Sequence, residues 1–343
     1  MSARLCRETR SAECDPDATE GVPPVRPDWY PGAYRQFLAD SAEPRGLRSE
    51  GENRMEKLIE KASVLVEALP YIQEFRDSVV VVKLGGSVME DEAQARSVLR
   101  DVVFMECAGM RPVVVHGGGK AITAALKAAQ IETRFIQGLR YTCERTIGVV
   151  DRVLHEENAK LVAMVRELGG KPFAVSGKTV LRAERITAAG PGTGAALDLG
   201  FVGRVVNVDS EQIQWVLNRH EVPVVAPLAR DMSGQAYNIN ADMAACQIAA
   251  AVRAAKLVFL SDVPGILRDA ADPQSLISTI TLGEIDGYIS RGVISGGMTP
   301  KVRSAADALQ AGCRKVHMID GRIRHSLLLE FFTDHGIGTQ ITP

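Results

Sequence analysis

The sequence predicts an α/β protein, a three-layer α/β/α sandwich around a mostly parallel central sheet. Three observations carry that expectation. Short β-branched runs recur along the chain, as at residues 79–82 and 113–115, and strands apolar on both faces belong to sheets covered on both sides. Amphipathic segments at helical spacing separate the runs, which is the alternation of a parallel sheet. Two of the runs lead directly into glycine-rich turns, Lys83-Leu84-Gly85-Gly86-Ser87 and His116-Gly117-Gly118-Gly119-Lys120, and open α/β sheets receive ligands at such strand ends.

Taken in order, residues 1–54 mix charges with turn formers such as Pro23, Pro24, Pro27, Pro31 and Pro44 and hold no lasting apolar period. They are expected to form a disordered leader. Met55 stands directly before the first periodic segment, so translation starting there, or a dispensable leader, is expected. Residues 55–76 form an N-terminal helical segment: Leu58, Ile59, Ala62, Leu65, Val66 and Leu69 make one apolar stripe, which Pro70 ends or kinks. The stripe suits packing on the chain's own core or on a partner subunit. Strands are expected at 79–82, 113–115, 222–226, 257–260 and 315–319, with helices at 92–107, 122–130, 144–168 and 243–254. Residues 174–208 are richer in short strand-like pieces broken by glycine and predict a hairpin insertion beside the sheet.

Composition narrows the class. Forty Lys and Arg face 42 Asp and Glu, so net charge gives no reason to expect nucleic-acid or anionic-membrane binding, though a local basic site is allowed. Six cysteines, none in a CxxC pair, argue against a zinc site or a disulfide framework and suit a reducing compartment. No apolar run nears the about 20 residues that span a bilayer, and the N-terminus has no signal-like apolar stretch; a cytoplasmic location is expected.

The chemistry lies in the loops. Glycines let backbone approach a ligand closely, and successive N–H groups at a helix start make an anion nest. Lys83, at a strand mouth, adds a point charge suited to phosphate, although alone it also fits a snorkelling lysine. Three other motif readings fail. An α/β-hydrolase needs a G-x-S-x-G elbow, but Met89 follows Ser87 and Val293 precedes Ser295 at the glycine positions. A Walker A loop ending in Gly177-Lys178-Thr179 would need glycine at Pro172, and a G-x-G-x-x-G from Gly192 ends on Leu197. Further on, Asn238-Ile239-Asn240-Ala241-Asp242, Ser261-Asp262-Val263-Pro264-Gly265 and Gly296-Gly297-Met298-Thr299-Pro300-Lys301 bring amides, carboxylates and a second lysine to loop–helix junctions. Singly, Asn240 reads as a helix cap and Asp262 as a turn residue; together they point to a site.

With VVKLGGS at 81–87, VVHGGGKAI, FIQGLRYT, DLGFVGRV, YNINADMAA, LVFLSDVPGIL and GVISGGMTPKV, the chain resembles the amino acid kinase family, and within it the N-acetylglutamate kinase branch, over residues 56–343. The resemblance implies ATP-dependent phosphorylation of the γ-carboxylate of N-acetyl-L-glutamate, a step of arginine biosynthesis, with Mg²⁺ carried by the nucleotide. It implies that Lys83 and Lys301 flank the migrating phosphoryl group with Asp242 between them. The N–H groups of Gly118 and Gly119 would hold the acceptor carboxylate, Arg140 the α-carboxylate and Asn238 the acetylated amine. Gly85, Asp262, Gly265, Val293 and Ser295 would border ATP. Residues 77–235 would form an acceptor-binding N-lobe and 236–343 a nucleotide-binding C-lobe. Lys120-Ala121 departs from the family's usual Pro and acidic residue after the glycines.

The C-terminal run from Val316 to Thr339, with the A-L-P-Y-I end of the N-terminal helix, resembles arginine-regulated members. That implies L-arginine as a feedback inhibitor touching His317, Ser326, Glu330 and Gly336, with Tyr71 nearby. It also implies a homo-hexamer built as a trimer of dimers through the N-terminal helix, so that deleting residues 1–75 is expected to leave active dimers. The resemblance leaves room for a nitrogen-signalling regulatory protein. An N-acetyl-aminoadipate kinase stands as an alternative, since one methylene gives only about 1–3 kcal/mol of discrimination; a catalytically weak arginine sensor is an alternative of a different class.

Overall fold

The computed structural model describes residues 50–189, 196–333 and 336–343. Residues 1–49, most of the expected leader, residues 190–195, within the range expected for the insertion, and residues 334–335 lie outside the described residues. The chain divides into two units, Met1–Ser63 and Val64–Pro343. In the first, the described residues are helical, part of helix Glu50–Glu67, which starts ahead of Met55. That helix stops at Ala68, and Pro70 opens a second helix, Leu69–Phe75. Proline has no N–H to give and its fixed φ suits a first turn, so it breaks one helix and starts the next.

In the second unit the strands are β1 (Val79–Leu84), β2 (Arg111–His116), β3 (Phe135–Ile136), β4 (Leu139–Arg140), β5 (Pro172–Ser176), β6 (Leu181–Ala189) and β7 (Ala196–Val208). They continue as β8 (Val222–Ala226), β9 (Leu228–Arg230), β10 (Ala236–Asn238), β11 (Lys256–Ser261), β12 (Thr279–Thr281), β13 (Val316–Asp320) and β14 (Thr339–Thr342). Among the described residues, eight make one sheet in the order β12-β14-β13-β11-β1-β2-β8-β5. Every pairing in it is parallel except β13 with β14.

The valine runs explain the layers. Alternate residues point to opposite faces: Val81, Val113, Val115 and Phe259 pack with helices Ala241–Ala251 and Met298–Gln310. Val80, Val82, Val114 and Val258 pack with Glu92–Cys107 and Ser326–Phe331 on the other side. Each such buried side chain contributes about 1.5–3 kcal/mol, which is why the strands read as continuous apolar runs. The result is the expected α/β/α sandwich.

The hairpin insertion exists but starts later than expected. β6 and β7 pair antiparallel and join β9 and β10 in a closed four-stranded ring. Residues 172–176 instead form the sheet's edge strand β5, where Phe173 and Ala174 face out. Phe173 and Ala174 lie on opposite faces, so both faces of this edge strand are partly open and it lacks the β-branched run that marks the covered central strands. The half of the sheet built from residues 77–235 meets the half built from 236–343 where β1 pairs with β11.

This topology sets the site. β1 and β2 are neighbours in register, Leu84 opposite His116, so both glycine loops emerge side by side. Each is tied to a neighbouring strand: Gly85 N–H donates to the Leu260 carbonyl at 3.1 Å and Gly117 N–H to the Leu84 carbonyl at 3.1 Å. A side chain at Gly85 would put its Cβ 2.5 Å from the Leu260 oxygen, which is why this position is glycine.

Candidate active site

Lys83 is the penultimate residue of β1, Asp242 lies in the first turn of helix Ala241–Ala251, and Lys301 lies in the first turn of Met298–Gln310. The three converge. Lys301 Nζ donates to Asp242 Oδ2 at 2.8 Å, and Lys83 Nζ lies 2.8 Å from Oδ1 as an ion pair without hydrogen-bond alignment. Asn240 fixes the carboxylate's helix by capping it, accepting from the N–H groups of Asp242 at 2.8 Å and Met243 at 3.2 Å. Burial pushes the Lys83 ammonium below its usual pKa, opposed by Asp242. Burial alone would raise the Asp242 carboxyl, but the two lysines outweigh it and hold it low. A single carboxylate thus keeps two like charges side by side at the sheet's C-terminal edge.

Two cavities share this wall. One, of about 320 Å³, is lined by Lys83, Gly118, Gly119, Arg140, Asn238 and Asp242 among others. Arg140 ends β4 and is buried; one terminal nitrogen donates to the Gly119 carbonyl and to Thr123 Oγ1, each at 2.8 Å, and the other has no partner. Its guanidinium lies 4.7 Å from the Phe135 ring centroid, leaving a fixed donor for an anionic group. Asn238 Nδ2 donates to Thr142 Oγ1 at 3.2 Å. The second cavity, of about 500 Å³, is lined by Lys83, Gly85, Ser87, Asp262, Met298 and Lys301 among others. Lys120 borders both cavities and pairs with Glu90.

Three residues expected at ATP line neither cavity. Gly265 has φ +146°, and a Cβ there would lie 2.6 Å from Thr339 Oγ1, so its glycine is accounted for by packing against β14. Val293 packs against the apolar core, and the Ser295 carbonyl accepts from Met298 N–H at 3.1 Å as helix Met298–Gln310 begins.

A second buried polar cluster lies on β13 and helix Ser326–Phe331. His317 Nδ1 donates to Glu330 Oε1 at 2.5 Å, while Glu330 Oε2 accepts from the N–H of Ile337 at 2.7 Å and of Gly338 at 3.2 Å. Burial would raise the Glu330 carboxyl, but these donors outweigh it and keep it low. Burial keeps His317 low in turn, against the pull of Glu330; the pair is a neutral imidazole donating to a carboxylate. Ser326 Oγ and His317 Nε2 are buried without partners. Gly336 has φ +60°, and its Cβ would meet Glu330 Oε2 at 2.8 Å. Tyr71 packs edge-on to Phe332, with ring centroids 6.3 Å apart.

Sequence reasoning passed over two features. Lys256, on β11, has Nζ 4.3 Å from the Phe75 centroid and 4.4 Å from that of Phe331, and burial lowers its pKa to about 8 against the pull of Glu330. It reads in sequence as an ordinary lysine before a strand. His116 was read only as the start of a glycine loop, yet it is wholly buried and bonded on both ring nitrogens. Among the described residues, no helix is long and apolar enough to cross a membrane.

The Amino acid kinase family matches residues 78–320, which include both glycine loops, Asp242 and Lys301. An acetylglutamate kinase of Akkermansia muciniphila is 45% identical over 292 residues, 84% of this chain and 98% of that one. An acetylglutamate kinase of Carboxydothermus hydrogenoformans is 46% identical over 294 residues, 84% of this chain and 100% of that one. Among solved structures, N-acetylglutamate synthase from Neisseria gonorrhoeae complexed with coenzyme A and L-arginine superposes with a TM-score of 0.68 at 25% identity, covering 82% of this chain and 65% of that longer one. Sheet, site and relatives agree, and the chain belongs to the amino acid kinase family.

Proposed function

We propose that this chain transfers the γ-phosphoryl group of ATP to the side-chain carboxylate of N-acetyl-L-glutamate, in arginine biosynthesis. The observation that carries the reading is the Lys83–Asp242–Lys301 wall between two cavities. An attacking carboxylate and a triphosphate repel each other, so phosphoryl transfer depends on alignment and charge neutralisation more than on covalent help. Lys83 and Lys301 supply fixed donors where the transferring oxygens gather charge, and Asp242 keeps the ammonium groups apart and aimed.

In the smaller cavity the Gly118 and Gly119 N–H groups would hold the reacting carboxylate. The unpartnered Arg140 nitrogen would take the α-carboxylate, and Asn238 the acetamido group. The larger cavity would hold the nucleotide phosphates over Gly85 and Ser87, beside Asp262. Mg²⁺ would arrive on those phosphates, where it spreads their charge. In this reading residues 77–235 act as the acceptor lobe and 236–343 as the nucleotide lobe.

The kinship of 45% identity to acetylglutamate kinases supports the acceptor over a longer homologue. The test is ATP turnover with hydroxylamine trapping of the acyl phosphate across N-acetyl-L-glutamate, N-acetyl-aminoadipate and free glutamate. The reading expects the highest kcat/KM with N-acetyl-L-glutamate; faster trapping with either of the others overturns the acceptor assignment.

We further propose L-arginine as an inhibitor bound at the His317–Glu330 cluster. A buried carboxylate, the bare His317 Nε2 and the unpartnered Ser326 hydroxyl suit a guanidinium or ammonium group. The related synthase was solved with L-arginine. The exposed Met55, Leu58, Ile59, Leu65 and Val66 would join subunits into a hexamer.

A further inference from the structure

His116 closes β2 and is wholly buried. Its Nδ1 lies 2.7 Å from the Gly117 carbonyl oxygen. A carbonyl only accepts, so Nδ1 carries the ring proton and Nε2 is a bare acceptor. Asn158 Nδ2 lies 3.1 Å from Nε2, in position to donate, and the same amide donates to the Val224 carbonyl at 2.8 Å. One chain of hydrogen bonds therefore runs from β8, through helix Glu144–Glu167 and the imidazole, to the backbone of the second glycine loop.

We propose that His116, oriented by Asn158, is a positioning residue that aims the Gly118 N–H into the acceptor cavity. The inference rests on the phosphotransferase reading above. The Gly117–Gly118 peptide is trans, and in a trans peptide the C=O and the next N–H point in opposite directions. Tying the Gly117 oxygen back to the buried imidazole turns the Gly118 N–H the other way, toward the cavity that Gly117, Gly118 and Gly119 line.

The tie matters because glycine peptides flip at little steric cost. A flipped Gly117–Gly118 peptide would present a carbonyl oxygen, not a donor, to the acceptor carboxylate and the phosphoryl oxygens. The surroundings are built to prevent that. Gly117 N–H is held by the Leu84 carbonyl at 3.1 Å. A Cβ on Gly118 would lie 2.7 Å from Leu154 Cδ2, and Leu154 sits one turn before Asn158 on the same helix face. Burial holds the imidazole at a pKa of about 4, so it stays neutral, with one donor and one acceptor, at neutral pH.

Isosteric substitutions separate positioning from filling. His116→Asn places an amide nitrogen near the site of Nδ1 and can still donate to Gly117. His116→Gln fills the volume better but places its amide near Nε2, keeping Asn158 and losing the tie to Gly117. Losing one preorganised backbone donor costs on the order of 10²-fold in kcat. The expected order in kcat is therefore wild type, then His116→Asn within about tenfold, then His116→Gln lower by roughly 10²-fold, with the KM for ATP unchanged. Asn158→Leu should fall between the two variants.

Nitrogen-15 NMR of the imidazole in the full-length wild type reads the tautomer without turnover, and the Nδ1–H form is expected. An Nε2–H tautomer, or His116→Gln turning over as fast as His116→Asn, overturns the proposal while the kinase reading stands. A wild type with the Nδ1–H tautomer that transfers no phosphoryl group to any acceptor overturns the kinase reading and takes this proposal with it.

Discussion

Lys83 and Lys301 flank one carboxylate; in the proposed transfer their charge would be needed most when the phosphoryl group is in flight. Lys83→Ala and Lys301→Ala are expected to lower kcat by about 10²-fold or more with little change in either KM, the pattern of an interaction made in the transition state. Arg140→Ala should instead raise the KM for the acetylated acceptor, since in the proposed reading its unpartnered nitrogen would grip a group that does not react; initial-rate kinetics of the three variants checks both. His116 supplies a pH prediction. The unfolded chain binds a proton near pH 6.5 and the folded chain only near 4, so the unfolded state carries more protons between those values. This contribution is full above pH 6.5 and is lost as pH falls toward 4, about 3 kcal/mol in all. Urea midpoints measured across that window should fall with acidity in the wild type, and less steeply in His116→Asn. Lys83, Asp242 and Lys301 were legible in the sequence because they stand in motifs, Lys83 at a strand mouth before a glycine loop and the other two at loop–helix junctions. The proton state of His116 was not, because it follows from burial and from Asn158, 42 residues away.

Central strands announce themselves and edges do not. β1, β2, β8, β11 and β13 were read from their largely apolar runs because both faces are covered. β5, β12 and β14 were missed because they lie at or near the sheet margins: β5 leaves Phe173 and Ala174 exposed, and the short β12 and β14 bury alternate residues, such as Ile280 and Ile341, between more open polar ones. The N-terminal helix was also legible from its stripe, but its safe boundary was not. Phe75, at the end of Leu69–Phe75, is buried edge-on against Phe331 with centroids 5.6 Å apart and covers Lys256. Deleting residues 1–75 would therefore open the core that holds the His317–Glu330 cluster. Removing residues 1–67 leaves Phe75 in place. That shorter deletion is expected to give active dimers with weakened arginine inhibition, read by light scattering and arginine titration. A wild-type dimer, or a hexamer indifferent to millimolar arginine, would refute the regulatory proposal alone.

The molecule as a whole sets two cavities side by side at the C-terminal ends of neighbouring parallel strands of one mostly parallel sheet and gives them a common charged wall. Neighbouring strands β1 and β2 end in register, so their glycine loops emerge together, and β11 adds Ser261 and Asp262 beside them. That arrangement follows from topology, which strand-by-strand reading of the sequence could only anticipate through family resemblance. The central claim is that phosphorus passes from ATP to a side-chain carboxylate oxygen across the Lys83–Asp242–Lys301 wall. The direct measurement is phosphorus-31 NMR of the acyl phosphate formed from ATP and N-acetyl-L-glutamate labelled with oxygen-18 in the side-chain carboxylate only. The account predicts an isotope-shifted acyl-phosphate signal, with the label bridging carbon and phosphorus. An unshifted acyl phosphate, or inorganic phosphate as the sole product with no trapped acyl phosphate, would contradict it.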